Sequence, residues 1–447
     1  MNTKIQNLTS GNVAQALLRF AWPMFLANLL QSLYSLVDMV VVGRFVGSEG
    51  LAAVSNASML VFLITSVCTG LAQGGTVLVA QYEGARQKKE QVEAISTLFA
   101  LAALFAAVVT AAGLLCFHPA FLLMRVPQGA LSYADDYMAV ICGGTAFVFG
   151  YNVACAILRG LGDSKHPLYF VLAATAVNIA LDLLLVGGFH KGTRGAAVAT
   201  VTSQGVSFLV AALYLWRSGL AGSRGEWKFS KKKAAAILRV GIPSAGQMAV
   251  LNFSYLVATG MLNVYGVAVA AASGIGLKVN TFAAMPIWAV GQAVSAMAGQ
   301  NMGAGNIPRT AGVARAGVAV GAAASVVMIA FFQLFAAQVV MLFNGDPAVV
   351  REGILYLRIC CSLNCVAYAV MYAFNSFAIG LGDASFAFWN SILDCVLVRI
   401  FGSWLLGIAL GYGFVGIYFA EMFAPVLPAV AGVVYFKRGK WKRRRLV

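Results

Sequence analysis

Twelve long apolar runs, separated by short polar stretches, constrain this chain more than any other feature of its sequence. Each run is long enough for a helix to cross a bilayer, which takes about 20 residues. The runs are continuously apolar rather than alternating, which excludes a transmembrane β-barrel. Only 10% of the 447 residues are charged, compared with about 25% in a soluble domain, so we predict an all-α integral membrane protein. The predicted spans are 18–43, 51–80, 94–117, 133–158, 168–189, 194–216, 235–263, 267–298, 312–341, 354–379, 386–410 and 413–436.

The positive charges predict the orientation of these spans. If the amino terminus is inside, most Lys and Arg residues lie on the inner side, among them Lys4, the linker 217–233 and the tail 437–447. This excess is typical of the cytoplasmic side, so both termini of a multi-pass protein of the cell membrane are predicted to be cytoplasmic. The net charge of +16 is then a topology signal beside anionic lipid, and no nucleic acid partner is predicted. The first run contains Pro23 and Asp38 and lacks a cleavage site, so it is a retained span and not a signal peptide.

The second half of the chain resembles the first at a nearly constant shift. Because each half holds an even number of spans, both halves begin on the same side of the membrane, as parallel repeats. The predicted fold is therefore twelve transmembrane helices in two six-helix bundles around a central cleft. The matching motifs are LRFAWP (18–23) with LRVGIP (238–243), AQYEGA (80–85) with GQNMGA (299–304), RGLGDS (159–164) with IGLGDA (379–384), and GAAVAT (195–200) with GIYFAE (416–421). The predicted domains are an amino-terminal lobe at 1–216, a basic cytoplasmic linker at 217–233, a carboxy-terminal lobe at 234–436 and a basic cytoplasmic tail at 437–447.

Polar side chains follow one face of three spans in the amino-terminal lobe. Ionisable residues inside a membrane are costly and usually functional, and spacings of three and four residues place side chains on one face of a helix. These faces are predicted to line one polar cavity. They carry Asn28, Gln31, Ser35 and Asp38 in the first span, Thr175, Asn178 and Asp182 in the fifth, and Thr200, Gln204 and Ser207 in the sixth.

Asp38, Asp182 and Thr200 are predicted to share one depth. At about 1.5 Å per residue, all three lie about 8–11 Å below the outer boundary of the membrane, and Tyr137 is placed to join them. Two acids this close in a medium of low dielectric constant repel each other. The pair is therefore expected to share a proton or to exchange it for a monovalent cation. The alternative, that these polar groups only hold helices together, stays open for several neutral members of the stripes.

The carboxy-terminal lobe carries ionisable residues of both signs. Asp394 and Arg399 are five residues apart, which is not an ideal spacing for a pair in an α-helix. Lys278 and Glu421 each lie roughly in the middle of a span. A cross-helix ion pair and a role in substrate binding both stay open for these groups.

Aromatic side chains are predicted to line part of the cleft. Tyr368 and Tyr372 share a face of the tenth span, and Trp288 lies on the eighth. Aromatic rings tolerate amphipathic cations well. The candidate substrate residues are therefore these three together with Lys278 and Asp394.

Pro23 and Pro243 are repeat-related and interrupt the first and seventh spans. A proline removes a helix hydrogen bond and bends the helix. Both are hinge candidates, and the alternative is a plain kink where each helix enters the membrane.

With these motifs the chain resembles the multidrug and toxic compound extrusion (MATE) transporters over essentially its whole length. The resemblance is carried by WP at 22–23, VDMVVVGRFVG at 37–47, QYEGA, QNMGA, RGLGDS, NIALD at 178–182 and GAAVAT at 195–200. It implies a V-shaped pair of bundles that exports organic, often cationic and amphipathic compounds, driven by inward movement of protons or sodium. It also implies a proton or sodium site at Asp38, Asn178, Asp182 and Thr200. The seventh and tenth spans hold no acid, so the chain resembles the DinF-like branch more than the NorM-type branch.

The predicted function is a secondary active antiporter that exports such compounds in exchange for protons or sodium by alternating access. The alternative is a flippase for lipid-linked oligosaccharides, for which a strongly basic cleft is expected. Here Lys278, Arg358 and Arg399 are partly offset by Asp394 and Glu421. An enzyme is not expected, since no nucleophile and base have a suitable spacing. The transported ion takes the place of a cofactor, with no other metal predicted. The expected partners are small organic substrates and the lipid bilayer, and the protein is expected to work as a monomer.

Overall fold

A computed structural model of the chain describes residues 6–444, 446 and 447, except for the side chain of Arg224. Lys4 and Arg445, two of the charges used to predict the orientation, lie outside the described residues. Within these residues the structure consists of helices and connecting turns, with no β-strand. The predicted all-α fold class is confirmed.

In the described part of the chain, 11 helices are long and apolar enough to cross a membrane, and a bent helix pair raises the number to 12 if it forms one span. This agrees with the predicted twelve-span fold. Numbered along the chain, the first twelve α-helices are α1 (Val13–Phe45), α2 (Ser48–Gly84), α3 (Lys88–Leu123), α4 (Gln128–Gly143), α5 (Thr145–Leu161), α6 (Lys165–Asp182), α7 (Gly192–Arg217), α8 (Lys231–Asn263), α9 (Val267–Gly303), α10 (Ile307–Met341), α11 (Pro347–Cys360) and α12 (Leu363–Gly380). They are followed by α13 (Ala384–Ile392), α14 (Phe401–Ser403), α15 (Gly413–Phe423) and α16 (Val426–Arg438).

Three of the predicted spans are interrupted. The fourth is divided between α4 and α5, which are bent by 51°. The tenth is divided between α11 and α12, and the twelfth between α15 and α16. Pro425 explains the last break, because proline cannot donate a backbone hydrogen bond to the preceding turn. Apolar runs alone did not reveal these breaks, since the residues at the breaks are themselves mostly apolar.

Two spans change from α-helix to the wider π-helix. Leu183–Gly188 continues α6, whereas Leu393–Ile400 and Trp404–Ala409 flank α14. A π-helix hydrogen-bonds each residue to the fifth residue along the chain and is often found at functional sites. It therefore shifts the face on which later side chains lie, which a regular helical spacing does not predict.

The chain forms two compact units, and their bounds differ from those of the predicted lobes. We call residues 26–245, with Gln6, the amino-terminal unit, and residues 7–25 with 246–447 the carboxy-terminal unit. Helices α1 and α8 each contribute to both units. In each case the change of unit falls a few residues after the repeat-related proline, Pro23 or Pro243.

The start of α1 belongs to the carboxy-terminal unit because its apolar side chains are buried there. Leu17 and Phe20 are 0% exposed in a core that includes Met297 of α9. Just before α1, the guanidinium of Arg309 donates hydrogen bonds to backbone oxygens, including that of Ser10 at 2.6 Å. These contacts fix the segment that leads into the first span.

The linker 217–233 packs on the amino-terminal unit. The Lys233 ammonium forms ion pairs with Glu90 at 2.7 Å and Glu93 at 2.5 Å on α3. The Trp227 ring stacks on Phe99 of the same helix, with 5.7 Å between the ring centres. The linker is thus attached along α3, and the first turns of α8 follow from it within the same unit.

The basic tail 437–447 is partly packed in the carboxy-terminal unit. Trp441 is 1% exposed in the core that holds Phe20 and Met297. Arg444 forms an ion pair with Asp383 at 2.7 Å. Most other described basic side chains of the tail are exposed, and their predicted role beside anionic lipid stays a prediction.

Candidate functional site

The two acids that were predicted to share one depth lie next to each other in the amino-terminal unit. Asp38 is on the second half of α1, and Asp182 ends α6 directly before the π-helix Leu183–Gly188. Their side chains are 7% and 0% exposed. The two carboxyl groups are within hydrogen-bonding reach of each other. Two facing carboxylates repel, so this arrangement favours a proton or a cation between them.

Several buried polar atoms at the two acids and beside them form no hydrogen bond with the described residues. They are Oδ1 of Asp38, both carboxylate oxygens of Asp182, and both amide atoms of Asn178. Buried polar groups are nearly always paired, and an unpaired one costs about 1–3 kcal/mol. Oxygen atoms are the preferred ligands of hard cations. The site can therefore accept a proton or a monovalent cation, and Asn178 is placed to share in its binding.

Two tyrosines lie beside the acids, and sequence reasoning missed one of them. The predicted Tyr137 is 7% exposed, and its phenol is within electrostatic reach of Asp38 and Asp182. Tyr34 lies one helical turn before Asp38, against the side chain of Gln204. Its four-residue spacing from Asp38 was the available signal, but the polar stripe of that span had been assigned to smaller side chains.

A small, partly open cavity of about 10 Å³, enough for one water molecule, lies beside Asn178 in the amino-terminal unit. Its polar lining includes Gln31, Tyr34, Thr175 and Gln204, so side chains from all three predicted stripes meet there. The Oγ1 atom of Thr175 and the Oε1 atom of Gln204 are buried without a partner among the described residues. The predicted polar cavity is thus present in this unit.

The remaining predicted members of the cavity differ in burial. Thr200 is half-buried on α7, and its backbone oxygen accepts a hydrogen bond from Ser203 at 2.8 Å. Its role in ion binding stays a prediction. Ser35 is exposed and donates a hydrogen bond to the backbone oxygen of Gln31 at 3.1 Å. Asn28 is half-buried, and its amide nitrogen lacks a partner in the described part of the chain.

In the carboxy-terminal unit, Asp394 and Arg399 form an ion pair, although five residues is not an ideal spacing for a pair in an α-helix. Oδ2 of Asp394 lies 3.4 Å from Nη2 of Arg399. Both residues are in the π-helix Leu393–Ile400, whose wider turn brings side chains five residues apart closer to one face than an α-helix does. Of the two roles left open for these groups, the structure shows an ion pair, which lies within one span and not between helices.

The candidate substrate residues fall into two groups. The Trp288 indole donates a hydrogen bond to the Tyr368 hydroxyl at 2.9 Å, and the Tyr368 and Tyr372 rings stack with 5.7 Å between their centres. Asp394 is instead buried beside Arg399, and Lys278 is exposed. Among the described residues, no ion pair includes Lys278, so the structure assembles the aromatic group but not all five residues.

The described residues contain no group of three or more His, Cys, Asp or Glu side chains placed to hold a metal ion. The candidate site in the amino-terminal unit instead combines two acids with neutral oxygens. Such a site suits a proton or a monovalent cation.

The family model described as MatE matches residues 23–184 and 243–405. The two matched segments begin at Pro23 and Pro243, the repeat-related prolines. The same family unit therefore occurs twice in the chain, in agreement with the internal repeat.

Relatives of known name cover most or all of the chain. A protein named "Probable multidrug resistance protein YpnP", from Bacillus subtilis (strain 168), is 29% identical over 451 residues and covers 99% of each chain. Another from the same organism, "Probable multidrug resistance protein YoeA", is 31% identical over 347 residues, which is 76% of this chain and 75% of the relative. A solved structure described as an outward-facing multidrug resistance MATE family transporter of the MOP superfamily aligns with a TM-score of 0.92, at 22% identity over 98% of each chain. At that identity the likeness shows the fold.

Proposed function

Because the chain belongs to the MatE family of membrane transporters, we propose that it is a secondary active antiporter. It exports amphipathic, often cationic organic compounds in exchange for protons or sodium ions, by alternating access. The substrate class is supported by the relatives whose names call them multidrug resistance proteins. The comparisons give no support to the lipid-linked oligosaccharide flippase that the sequence left open.

The observation that carries this proposal is the buried pair of Asp38 and Asp182, with no donor between the two carboxyl groups. When a proton or a sodium ion binds there, the charge of the pair changes by one. Burying a charge is costly, so the ion changes the relative free energies of conformations that bury the pair to different extents. A ligand can shift such an equilibrium only by its differential affinity for the two states.

Coupling follows if the organic substrate prefers the conformation from which the ion has been released. Ion binding then weakens substrate binding, and substrate binding weakens ion binding by the same free energy. The ion moves inward down its gradient, and the substrate moves outward. Asn178 shares in binding the ion, and Thr200 is proposed to do so as well, by analogy with the family.

We also propose that the transporter works as a monomer in the cell membrane, with both termini in the cytoplasm. The positive-inside pattern supports this orientation, and the exposed basic residues of the tail suit a cytoplasmic surface beside anionic lipid. The transported ion replaces any cofactor, and no nucleic acid partner is proposed.

The test is transport by the purified full-length protein in liposomes. A pH or sodium gradient is imposed, and movement of the organic cation ethidium is followed by its fluorescence. We expect gradient-driven movement with the wild type and none with Asp38→Asn, which keeps the size of the side chain but cannot carry the charge. The matched control is Asp136→Asn, an exposed acid on α4 in the same unit, and we expect normal transport with it. Normal transport by Asp38→Asn, or wild-type movement independent of both gradients, would contradict the proposal.

A further inference from the structure

Three charged side chains are buried together in the carboxy-terminal unit. Asp394, Arg399 and Glu421 are 1%, 4% and 6% exposed. Besides its pair with Asp394, the Arg399 guanidinium lies over the Tyr255 ring, 4.2 Å from the ring centre, and its charge acts on Glu421. The Glu421 carboxylate accepts a hydrogen bond from the Tyr356 hydroxyl at 2.9 Å and one from Cys360 Sγ at 3.7 Å. One acid and an aromatic face thus contact the guanidinium, and a second buried acid lies within its electrostatic reach.

The internal repeat relates this cluster to the candidate ion site of the other unit. The π-helices Leu183–Gly188 and Trp404–Ala409 correspond, as do the starts of α7 and α15. The motifs GAAVAT and GIYFAE continue the same register without a gap. This register matches Asp182 with Ser403 and Thr200 with Glu421. Extended four residues back, into the end of the π-helix Leu393–Ile400, it matches Asn178 with Arg399.

The alignment of the two repeats also shows which side chains differ at equivalent positions. The motif pair LRFAWP and LRVGIP matches Asp38 with Ala258. Neither acid of the amino-terminal pair therefore has an acidic counterpart, and a permanent cation stands where the first repeat has the amide of Asn178. Arg is always protonated in proteins.

The second acid of the cluster, Asp394, is brought in by the π-helix Leu393–Ile400. The shift between the repeats is one residue longer after this segment than before it, as comparison of the GLGD motifs with the GAAVAT pair shows. A π-turn accommodates one extra residue in a helix, and here it places Asp394 over Arg399. The added residue of the π-helix thus positions Asp394 to pair with Arg399.

We propose that Arg399 is a built-in cation of the carboxy-terminal unit. By the internal repeat, its guanidinium corresponds in position to the candidate ion site of the amino-terminal unit. Asp394 and Glu421 are its fixed counter-ions. A tethered group has a high effective concentration at its site, so it excludes free monovalent cations. On the basis of the proposed function, this built-in cation supplies a physical reason for ion exchange to rest on the amino-terminal unit, as the resemblance to the DinF-like branch implies.

Removing the guanidinium should convert this cluster into a cation site. Arg399→Ala leaves two buried acids, the Tyr255 ring face and a space shaped by the lost group. Guanidinium ion, which has the same charge and shape, is the probe that fits this space, and sodium ion is the second probe. Choline ion is too large and serves to match the ionic strength.

The experiment measures the melting temperature of the full-length protein in detergent, at guanidinium concentrations far below those that denature. We expect Arg399→Ala to melt below the wild type and to regain about 2–4 °C when guanidinium replaces choline, because a ligand that binds only the folded state stabilises it. The wild type should show no such gain. Arg399→Lys, which keeps a tethered cation, should melt close to the wild type and should not respond to guanidinium.

The matched control is Arg358→Ala, which removes an exposed arginine of α11 in the same unit and should give no response. The double variant Arg399→Ala with Glu421→Gln removes one counter-ion and should lose most of the guanidinium gain. If Arg399→Ala does not accumulate, Arg399→Gln takes its place with the same expectation. The inference is overturned if the Arg399 variants show no cation response, or if Arg358→Ala responds equally. Because melting is measured without transport, failure here leaves the proposed antiport untouched.

Discussion

Asn178 has both side-chain polar atoms buried without a partner among the described residues, although a leucine of similar size would avoid this cost. A buried polar group left unsatisfied destabilises the folded state by about 1–3 kcal/mol. An unsatisfied buried group in a native structure calls for an explanation, and such departures from good packing are expected at functional sites. Asn178, next to Asp38 and Asp182, is therefore interpreted as an ion-binding residue and not as structural support.

Asn178→Leu should accordingly separate stability from activity. We expect a melting temperature equal to or above that of the wild type, because the unsatisfied amide is removed, together with loss of gradient-driven ethidium transport. Melting and transport are measured on the same preparation. A purely structural asparagine would give the opposite pattern, with lower stability and proportionally retained transport.

Among the individual residues of the site, the sequence predicted those that follow a regular helical spacing. Asp38, Asn178 and Asp182 were found from spacing and depth, and the structure places the two acids within hydrogen-bonding reach. Tyr34 was missed because its ring was treated as part of an apolar run. For Asp394 and Arg399 the sequence left an ion pair and a substrate role open, because a π-helix does not follow the α-helical period on which the spacing was judged.

The packing of the helices explains the two GLGD motifs, which are not part of the candidate site. Gly160 and Gly380, in the two GLGD motifs, allow their helices to approach α2 and α9 closely. A Cβ atom at Gly380 would lie 2.4 Å from the backbone oxygen of Ser295, and backbone cannot move aside as a flexible side chain can. The motif is therefore interpreted as a helix-packing device in both repeats.

Gly380→Ala should lower the free energy of unfolding by about 1–3 kcal/mol, through overpacking at this contact. Gly274→Ala on α9, where an added Cβ meets nothing within 4 Å, should be neutral or stabilise the helix by up to about 1 kcal/mol. Denaturation of the two purified variants compares them. Equal stability of both variants would rule out the packing interpretation.

The linker is a second element whose structure the sequence did not reveal. Composition predicted a polar cytoplasmic segment, whereas Lys233 is buried between Glu90 and Glu93. Lys233→Met should lower the free energy of unfolding by about 1–2 kcal/mol, because it leaves two neighbouring carboxylates without their shared cation. Lys232→Met, at an exposed neighbouring position, is the control and should be neutral. A neutral Lys233→Met would mean that the ion pairs do not hold the linker.

At the scale of the whole molecule, hydropathy and the internal repeat predicted the class, the number of spans and the doubling of the chain. They did not predict that α1 and α8 each contribute to both compact units. That arrangement depends on which core buries Leu17 and Phe20, and an apolar run does not encode which partner it packs against. The broken spans escaped prediction for the same reason, because tertiary contacts decide them.

The division of α1 and α8 near Pro23 and Pro243 gives a prediction about motion. A proline lacks one helix hydrogen bond, so bending there is less costly than elsewhere. Pro23→Ala and Pro243→Ala should slow the turnover of ethidium transport several-fold while leaving its binding affinity unchanged. Pro286→Ala, which lies wholly within the carboxy-terminal unit, is the control. Unchanged turnover in both variants would show that these prolines are only entry kinks.

If ion binding at Asp38 and Asp182 drives export, the ion and the substrate must compete for the protein, and this competition can be measured directly. Ethidium affinity is measured for the purified protein in detergent at a series of pH values and sodium concentrations. For the wild type we predict that lower pH or added sodium weakens ethidium binding about 5-fold or more, and that Asp38→Asn binds ethidium with no dependence on either ion. Ethidium affinity that is independent of both ions in the wild type, or that depends on them equally in Asp38→Asn, would contradict the account.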